Sequence, residues 1–311
     1  MKKREHHNDT KTTGIVMQPL ADEYLASLTL RGYSPRSVTL YRLALRDFLH
    51  HLADTGRDRA QDITREDLED YRLALVRRNF APGSLEVYLR TVRQLFAWLE
   101  QNQRLFTNPA AELVIPQPPR KLLPAPTEEQ VRKLLAQPNV TTACGIRDRA
   151  LLETAYATGA RREELCRLTV FDVDLDNRRL RVLGKGKKER VLPLGRHAAL
   201  WLGKYITGTR PKLLKEKLDE PALWIDLHGK QLSYGAFQQI LLHHSRAAGI
   251  QPAIPPHALR RACATHMLRN GARPLQLQML LGHATLKTLS QYLRLTILEL
   301  QQTHQKSNPG Q

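Results

Sequence analysis

The sequence predicts a mainly α-helical protein with a small all-helical N-terminal domain and a larger, mostly helical domain that contains a three-stranded antiparallel β meander. Three observations support this prediction. The chain has 311 residues, which is enough for two domains that each bury a core. Apolar residues recur at three- and four-residue spacings through most of it, as in amphipathic helices. Six prolines crowd one internal segment, where a domain boundary is expected.

The N-terminal domain is predicted at residues 18–107, after a polar, aperiodic tail at residues 1–17. A helix is expected to start at Ser34, because serine caps a first turn well and the following proline suits the first helical position. Further helices are expected from Thr64 and after Pro82-Gly83-Ser84. The apolar stripes of the first and third of these helices are Val38, Tyr41, Leu45, Phe48, Leu49 and Leu52, and Leu85, Tyr88, Leu89, Val92, Leu95, Phe96 and Leu99.

A proline-rich linker is predicted at residues 108–126, since proline stiffens and extends a chain. The larger domain is expected at residues 127–296 and a C-terminal tail at residues 297–311. The domain opens on a capping-box pattern, Thr127 followed by Gln130 three residues later. Short extended runs separated by turns then predict the meander, with strands at residues 173–175, 180–183 and 190–193.

The composition indicates an acidic polymer as the partner. Lys and Arg number 48 against 30 Asp and Glu, so the formal net charge is +18 at pH 7. No apolar run reaches the roughly 18 residues that span a bilayer, and no signal-peptide pattern follows the charged start. We therefore expect a cytoplasmic protein without a membrane partner. The three cysteines have no metal-ligand spacing, so neither a metal site nor a disulfide framework is predicted.

Five features of the larger domain could carry chemistry, and each also has an ordinary structural explanation. The features are Arg161 with Glu164, the turn Gly184-Lys185-Gly186-Lys187-Lys188, His257 with Arg260, His283, and Tyr292. A surface ion pair would account for the first, a solvated hairpin tip for the second and a helix end for the fourth. The His-x-x-Arg spacing of the third recurs at residues 243–246 and 266–269, and Tyr292 is one of nine tyrosines.

In combination these residues resemble the tyrosine recombinases, most closely the Xer-type enzymes of bacteria and, behind them, the phage-type integrases. Lys185 follows Arg161 by 24 residues, and Tyr292 follows His283 by 9. The resemblance extends from about residue 18 to about residue 300. It rests on the helical first domain and on the segments Ala157-Thr158-Gly159-x-Arg161-x-x-Glu164-Leu165, residues 184–194, His257-x-Leu259-Arg260, residues 264–266, residues 278–283 and Tyr292.

The resemblance implies an enzyme that cuts and rejoins DNA by transesterification at specific sites. Tyr292 would be the nucleophile and would form a 3′-phosphotyrosyl bond, which conserves the energy of the broken linkage. Arg161 and Arg260 would bind the two non-bridging oxygens of the phosphate, where charge develops in the transition state. No metal, ATP or other cofactor is implied.

The remaining catalytic roles are also implied by the resemblance. His257 and His283 would complete the phosphate site, and His257 would also accept the phenolic proton. Lys185 would protonate the departing 5′ oxygen. Glu164 would orient the neighbouring groups.

The resemblance further implies a SAM-like, DNA-binding fold for residues 18–107 and the catalytic role for residues 127–296. The partners would be double-stranded DNA with inverted-repeat half-sites and further protomers. These would form a tetramer on two DNA sites, made of one chain or shared with a paralogous recombinase, with the C-terminal tail exchanged between protomers. Such a protein would be nucleoid-associated. The DNA-contact candidates are Arg36, Arg42, Arg90, Arg93 and Lys187.

The sequence departs from the family pattern at Ala160, Glu163, Arg261 and the Leu293-Arg294 pair. The departures leave chromosome-dimer resolution and mobile-element integration or excision open. Two alternative functions also stay open: a catalytically silent DNA-binding regulator, and a type IB topoisomerase-like nicking and closing enzyme. The complete catalytic set argues against the first, and the apolar cluster in the tail argues against the second.

Overall fold

The computed structural model of the chain describes residues 16–116, 124–184, 188–215 and 219–282. It divides into two compact units, Met1–Lys121 and Leu122–Gln311. Both units are built mainly from α-helices, and the second contains one three-stranded antiparallel sheet. The predicted fold class is therefore confirmed.

Within residues 16–116, the first unit packs four helices around an aromatic centre. Phe48 meets both Tyr71 and Phe96 in edge-to-face contacts, and all three rings are buried. Ser34 caps the second helix as the sequence predicts, since its side chain accepts a hydrogen bond from the backbone N–H of Ser37 at 3.2 Å. The helices are α1 (Met17–Leu30), α2 (Pro35–Asp54), α3 (Arg65–Arg77) and α4 (Pro82–Gln101).

Two segments outside the predicted bounds of the N-terminal domain contribute to its core. Met17, assigned from sequence to the terminal tail, begins α1 and is 1% exposed. Ala110 and Leu113, assigned to the linker, are buried against the same core. The division between the two units falls between Lys121 and Leu122, inside the segment predicted as the linker, residues 108–126.

The second unit surrounds the helix α6, which is buried on most of its sides and packs against α8 and α11. Thr127 and Gln130 form the predicted capping box at the start of α5, with hydrogen bonds of 2.9 and 3.1 Å. The helices are α5 (Glu128–Ala136), α6 (Ala143–Thr158), α7 (Arg162–Cys166), α8 (Arg196–Lys204), α9 (Arg210–Leu214), α10 (Tyr234–Ala247), α11 (Pro256–Arg269) and α12 (Pro274–Leu281).

The predicted meander forms a sheet of β1 (Val173–Asp174), β2 (Arg179–Leu183) and β3 (Glu189–Pro193), paired in that order. Leu180 pairs with Leu192, and both are fully buried, so they place one face of the sheet on the core. In this register Arg190 lies on the same face of β3 as Leu192. Among the described residues, no helix is both long and apolar enough to cross a membrane.

Candidate active site

The loop between α6 and α7 positions Arg161 and Glu164. Gly159 ends α6 in the left-handed conformation, with φ of +57°, and turns the chain. Arg161 precedes α7, and its backbone N–H donates to the Glu164 carboxylate at 2.8 Å. Its guanidinium also donates to that carboxylate, through Nη1 at 2.9 Å. The two residues therefore form a local unit at the start of the helix.

The adjacent arginines, Arg161 and Arg162, point to different parts of the unit. Arg161 donates through Nη2 to the carbonyl oxygen of Gly282 at 2.9 Å. Arg162 instead donates to the side chain of Gln238 at 2.9 Å and lies over the ring of Tyr234 on α10. Of the two, Arg161 is the one that joins the Glu164 carboxylate and the end of α12.

Glu164 is the most enclosed acidic group of the site, with 4% of its side chain exposed. It accepts four hydrogen bonds: two from Arg161 and two from Arg190, whose Nη1 and Nη2 lie 2.9 and 2.8 Å from its two oxygens. Burial raises the pKa of the carboxyl group, but the hydrogen bonds from Arg190 and Arg161 outweigh it. The pKa of Glu164 consequently lies below its ordinary value, and the group is ionised at neutral pH.

The C-terminal end of α12 gathers three guanidinium groups. Its last carbonyls have no partner within the helix. Arg190 Nε donates to Leu280 at 2.9 Å, Arg260 Nη2 to Leu281 at 2.7 Å, and Arg161 Nη2 to Gly282 at 2.9 Å. Arg260, 7% exposed, also donates through Nη1 to the carbonyl oxygen of Gly159 at 2.5 Å. The two arginines predicted to bind phosphate thus lie side by side on one helix end.

His257 lies one turn before Arg260 at the start of α11 and is exposed to solvent. Desolvation lowers its pKa below the ordinary value, and the charges of Arg162 and Arg260 lower it further, while Glu163 opposes them. The imidazole is therefore neutral near pH 7 in the DNA-free protein, which is the form that can accept a proton.

The two other His-x-x-Arg pairs lie elsewhere. His266 is buried, and its Nδ1 lies 2.8 Å from the hydroxyl of Tyr156. Arg246 and Arg269 are exposed at the ends of α10 and α11. The shared spacing therefore marks three different environments, and that of Arg260 includes the end of α12.

Four predicted site residues, Lys185, Lys187, His283 and Tyr292, lie outside the described residues. The residues on either side of Lys185 and Lys187 are described: the backbone N–H of Gly184 donates to the carbonyl oxygen of Lys188 at 2.8 Å across the hairpin.

The predicted DNA contacts of the N-terminal domain lie on two of its helices, where all four side chains are exposed. Arg36 and Arg42 are on α2, and Arg90 and Arg93 are on α4. Arg90 forms an ion pair with Glu86 one turn earlier.

Arg190 is the site residue that the sequence analysis did not single out. Its side chain is 15% exposed, whereas the next residue, Val191, is apolar and yet exposed. The available signal was the phase of the strand: an alternation set by Leu192 puts Arg190 on the buried face. A charged residue at an inward position of a strand indicates a buried partner.

No cluster of three or more His, Cys, Asp or Glu side chains suited to a metal ion occurs within the described ranges. The site is instead rich in guanidinium groups, which suit an anionic phosphate.

Comparison with known proteins identifies the class of protein. Residues 126–298 match the phage integrase family, and residues 21–103 match the phage integrase N-terminal SAM-like domain. The chain therefore belongs to the phage integrase family, the tyrosine recombinases. The fold agrees, because a lambda integrase tetramer bound to a Holliday junction superimposes with a TM-score of 0.73 over 90% of this chain and 78% of that one, at 19% identity.

Individual relatives are Xer recombinases. The tyrosine recombinase XerC 2 of Ralstonia nicotianae is 35% identical over 304 residues, which cover 95% of this chain and 87% of the relative. The tyrosine recombinase XerD of Pseudomonas putida is 35% identical over 292 residues, 94% of this chain and 97% of the relative. The chain is accordingly an enzyme that breaks and rejoins DNA in site-specific recombination, and the resemblance seen in the sequence is confirmed.

Proposed function

We propose that this chain recombines DNA through a covalent bond between Tyr292 and the 3′ phosphate, within a phosphate site built on the end of α12. The observation that carries the proposal is the convergence of Arg161 and Arg260 on the carbonyls of Leu281 and Gly282. The chain continues from there directly to His283 and, 9 residues later, to Tyr292. Nucleophile and phosphate site are therefore close in sequence.

The proposed reaction balances without an added energy source. The Tyr292 oxygen attacks phosphorus while the bond to the 5′ oxygen breaks, and a proton passes from Lys185 to that oxygen. His257 accepts the phenolic proton. Arg161 and Arg260 stabilise the charge on the non-bridging oxygens, and His283 completes their site. Rejoining reverses the same steps from the 5′ hydroxyl of a partner strand.

Covalent protein–DNA adducts test the nucleophile. Denaturing recovery from cells followed by sequencing of the attached DNA is expected to yield a discrete target site for the wild type and nothing for Tyr292→Phe. Tyr234→Phe is the control, because it also removes one phenolic oxygen from the same unit and is expected to keep the adducts. Adducts from Tyr292→Phe would refute the assignment, and DNA binding without adducts in the wild type would favour the regulator.

The two adjacent arginines offer a matched test of the phosphate site. Loss of one donor to a developing oxyanion typically costs about 10²–10³ in rate. We expect Arg161→Lys to slow cleavage at least about a hundredfold, with DNA affinity within about tenfold of wild type. Arg162→Lys, which removes a guanidinium at the next position, is expected to stay within about threefold. Equal defects in both variants would contradict the assignment of Arg161.

We further propose that both units bind double-stranded DNA, residues 18–107 as the SAM-like DNA-binding domain and residues 127–296 as the catalytic domain. The net charge of +18 and the exposed arginines of α2 and α4 support this. If about eight phosphates are neutralised, log affinity falls with log salt at a slope near −7. A slope near zero, measured by fluorescence anisotropy, would contradict the proposal.

The proposed assembly is a tetramer on two DNA sites with inverted-repeat half-sites, formed by this chain alone or with a paralogous recombinase, in the cytoplasm and at the nucleoid. The tetrameric state of the lambda integrase complex supports it. Mass photometry of the chain with its recovered target DNA tests it. Recombinant junctions with tetramers are expected, whereas relaxation of supercoils by monomers would favour the topoisomerase-like alternative.

A further inference from the structure

Arg190, the second residue of β3, contacts both Glu164 and the C-terminal end of α12. All three nitrogens of its guanidinium have partners: Nη1 and Nη2 donate to Glu164, and Nε donates to the carbonyl oxygen of Leu280. The first partner also holds Arg161, and the second is the residue before Leu281, which accepts from Arg260. One side chain therefore connects both phosphate-binding arginines.

Two glycines, Gly184 and Gly282, lie close to the Arg190 guanidinium. A methyl group on Gly282 would lie 3.0 Å from its Cζ atom, and one on Gly184 would lie 3.2 Å from Nη1. The guanidinium thus rests directly against both backbones. Gly184 immediately precedes Lys185, and Gly282 immediately precedes His283. The Arg190 side chain therefore lies against the residues that immediately precede Lys185, the proposed acid, and His283.

We propose that Arg190 is a positioning residue, which fixes the base of the Lys185 hairpin relative to Arg161, Glu164 and the end of α12. The inference rests on the proposed function, since it assigns the purpose of this contact to DNA cleavage. Arg190 acts through its neighbours and touches no reacting atom.

A guanidinium is needed for this role because the contacts are in different directions. The fork of Nη1 and Nη2 matches the two oxygens of a carboxylate, while Nε points along a third direction to the helix end. A lysine at this position keeps the charge, but its single nitrogen cannot make the bidentate contact and reach the carbonyl with the same geometry.

Arg190→Lys in the full-length chain tests the proposal, with Arg149→Lys as the matched control. Arg149 makes the same kinds of contact away from the site: to the carboxylate of Glu153 at 2.9 Å and to the carbonyl of Leu135, near the end of α5, at 2.5 Å. Its side chain is 21% exposed, close to the 15% of Arg190. General loss of a buried arginine contact would therefore affect both variants alike.

The first readout is the single-turnover rate of adduct formation on the target site recovered with the wild type. A displacement of about 1 Å in a site costs about a hundredfold in rate. We expect Arg190→Lys to lose about that factor, with DNA affinity within about threefold, and Arg149→Lys to retain the wild-type rate. A rate for Arg190→Lys within about threefold of wild type would overturn the proposal.

The second readout is a substrate in which sulfur replaces the bridging 5′ oxygen. A thiolate leaves without a proton, so this substrate relieves a defect that passes only through Lys185. We expect Lys185→Ala to recover fully and Arg190→Lys to remain at least about tenfold slow, because Arg161 is displaced as well. Full recovery of Arg190→Lys would overturn its role in placing the arginines.

The third readout does not depend on cleavage and separates this inference from the proposed function. Hydrogen exchange of the DNA-free protein is expected to rise in the peptides of α7 and α12 in Arg190→Lys, and to stay unchanged there in Arg149→Lys. If the wild type formed no adducts, the proposed function would fail while this measurement still decided the positioning role. Unchanged protection of both helices would overturn that role.

Discussion

The Glu164→Gln substitution probes the electrostatic centre of the site. The change is nearly isosteric, but an amide nitrogen takes the place of one carboxylate oxygen. Each oxygen of Glu164 accepts two hydrogen bonds, at 2.8–2.9 Å, from Arg161 and Arg190. In the variant, two of these donors face another donor, and the 15%-exposed guanidinium of Arg190 loses its counter-charge.

The expected loss in free energy of unfolding follows from these contacts. Removing one partner of a buried ion pair typically costs about 3–5 kcal/mol. The side chain of Arg161 is 34% exposed, so water compensates that half of the contact, and the lower end of the range applies. We expect the catalytic unit to lose about 3 kcal/mol, which is more than a hundredfold in its unfolding equilibrium.

Urea unfolding followed by tryptophan fluorescence measures this loss. A Trp98→Phe background removes the tryptophan of the first unit and leaves Trp201 and Trp224 to report on the second. Glu129→Gln is the control, because that carboxylate forms an exposed ion pair with Lys133 in the same unit, and we expect no shift in its midpoint. Equal midpoints for Glu164→Gln and its parent at pH 7 would refute the reasoning.

The same pair of proteins has a predicted pH dependence. The pKa of Glu164 in the folded protein lies below the ordinary value of 4.5, so its ionised form stabilises the fold. That contribution is complete above pH 4.5 and is lost as the pH falls through the folded-state pKa. The stability difference between wild type and Glu164→Gln should therefore shrink below pH 4.5. A difference that stays constant in acid would contradict the assigned cause.

Three further predictions concern the surroundings of the site. Gly282→Ala is expected to cost about 1–2 kcal/mol in thermal unfolding, because φ is +62°, and to slow cleavage because its methyl group displaces Arg190. Arg162→Gln is expected to raise the pKa of His257, measured by NMR titration of the DNA-free protein, since the Arg162 charge lowers it. Asp148→Ala is expected to cost about 3–5 kcal/mol in urea unfolding, because it leaves a buried arginine and histidine without their carboxylate.

Each of these predictions has a defined contrary result. Gly271→Ala has a similar positive φ of +87° but open space around it, so an equal cleavage defect there would contradict the contact with Arg190. Arg162→Lys keeps the charge and should leave the pKa of His257 unchanged. A shift of that pKa in Arg162→Lys would mean that the Arg162 charge is not the cause of the change seen in Arg162→Gln. A loss below about 1 kcal/mol for Asp148→Ala would mean that water replaces the carboxylate.

The helices and the meander were predictable because their signals are local. Ser34 and Thr127 cap helices through residues three positions away, and the alternation of β2 and β3 follows from neighbouring residues. The family was recognisable for a related reason: the order and spacing of its motifs belong to the chain itself. Sequence alone therefore determined the fold class and the enzyme class, and its spacing to Lys185 predicted Arg161 as the site arginine.

Only the tertiary structure decided what holds the site together. Arg161 meets Gly282 across 121 positions, and Arg260 meets Gly159 across 101, so no local pattern encodes either contact. In the sequence, Arg190 is one more basic residue of a lysine-rich hairpin. Strand pairing places its side chain on the inward face of β3, against Glu164. Carbonyls at a helix end carry no sequence signature, because every residue has one. Their use by three arginines depends on where α12 ends in space, which packing determines.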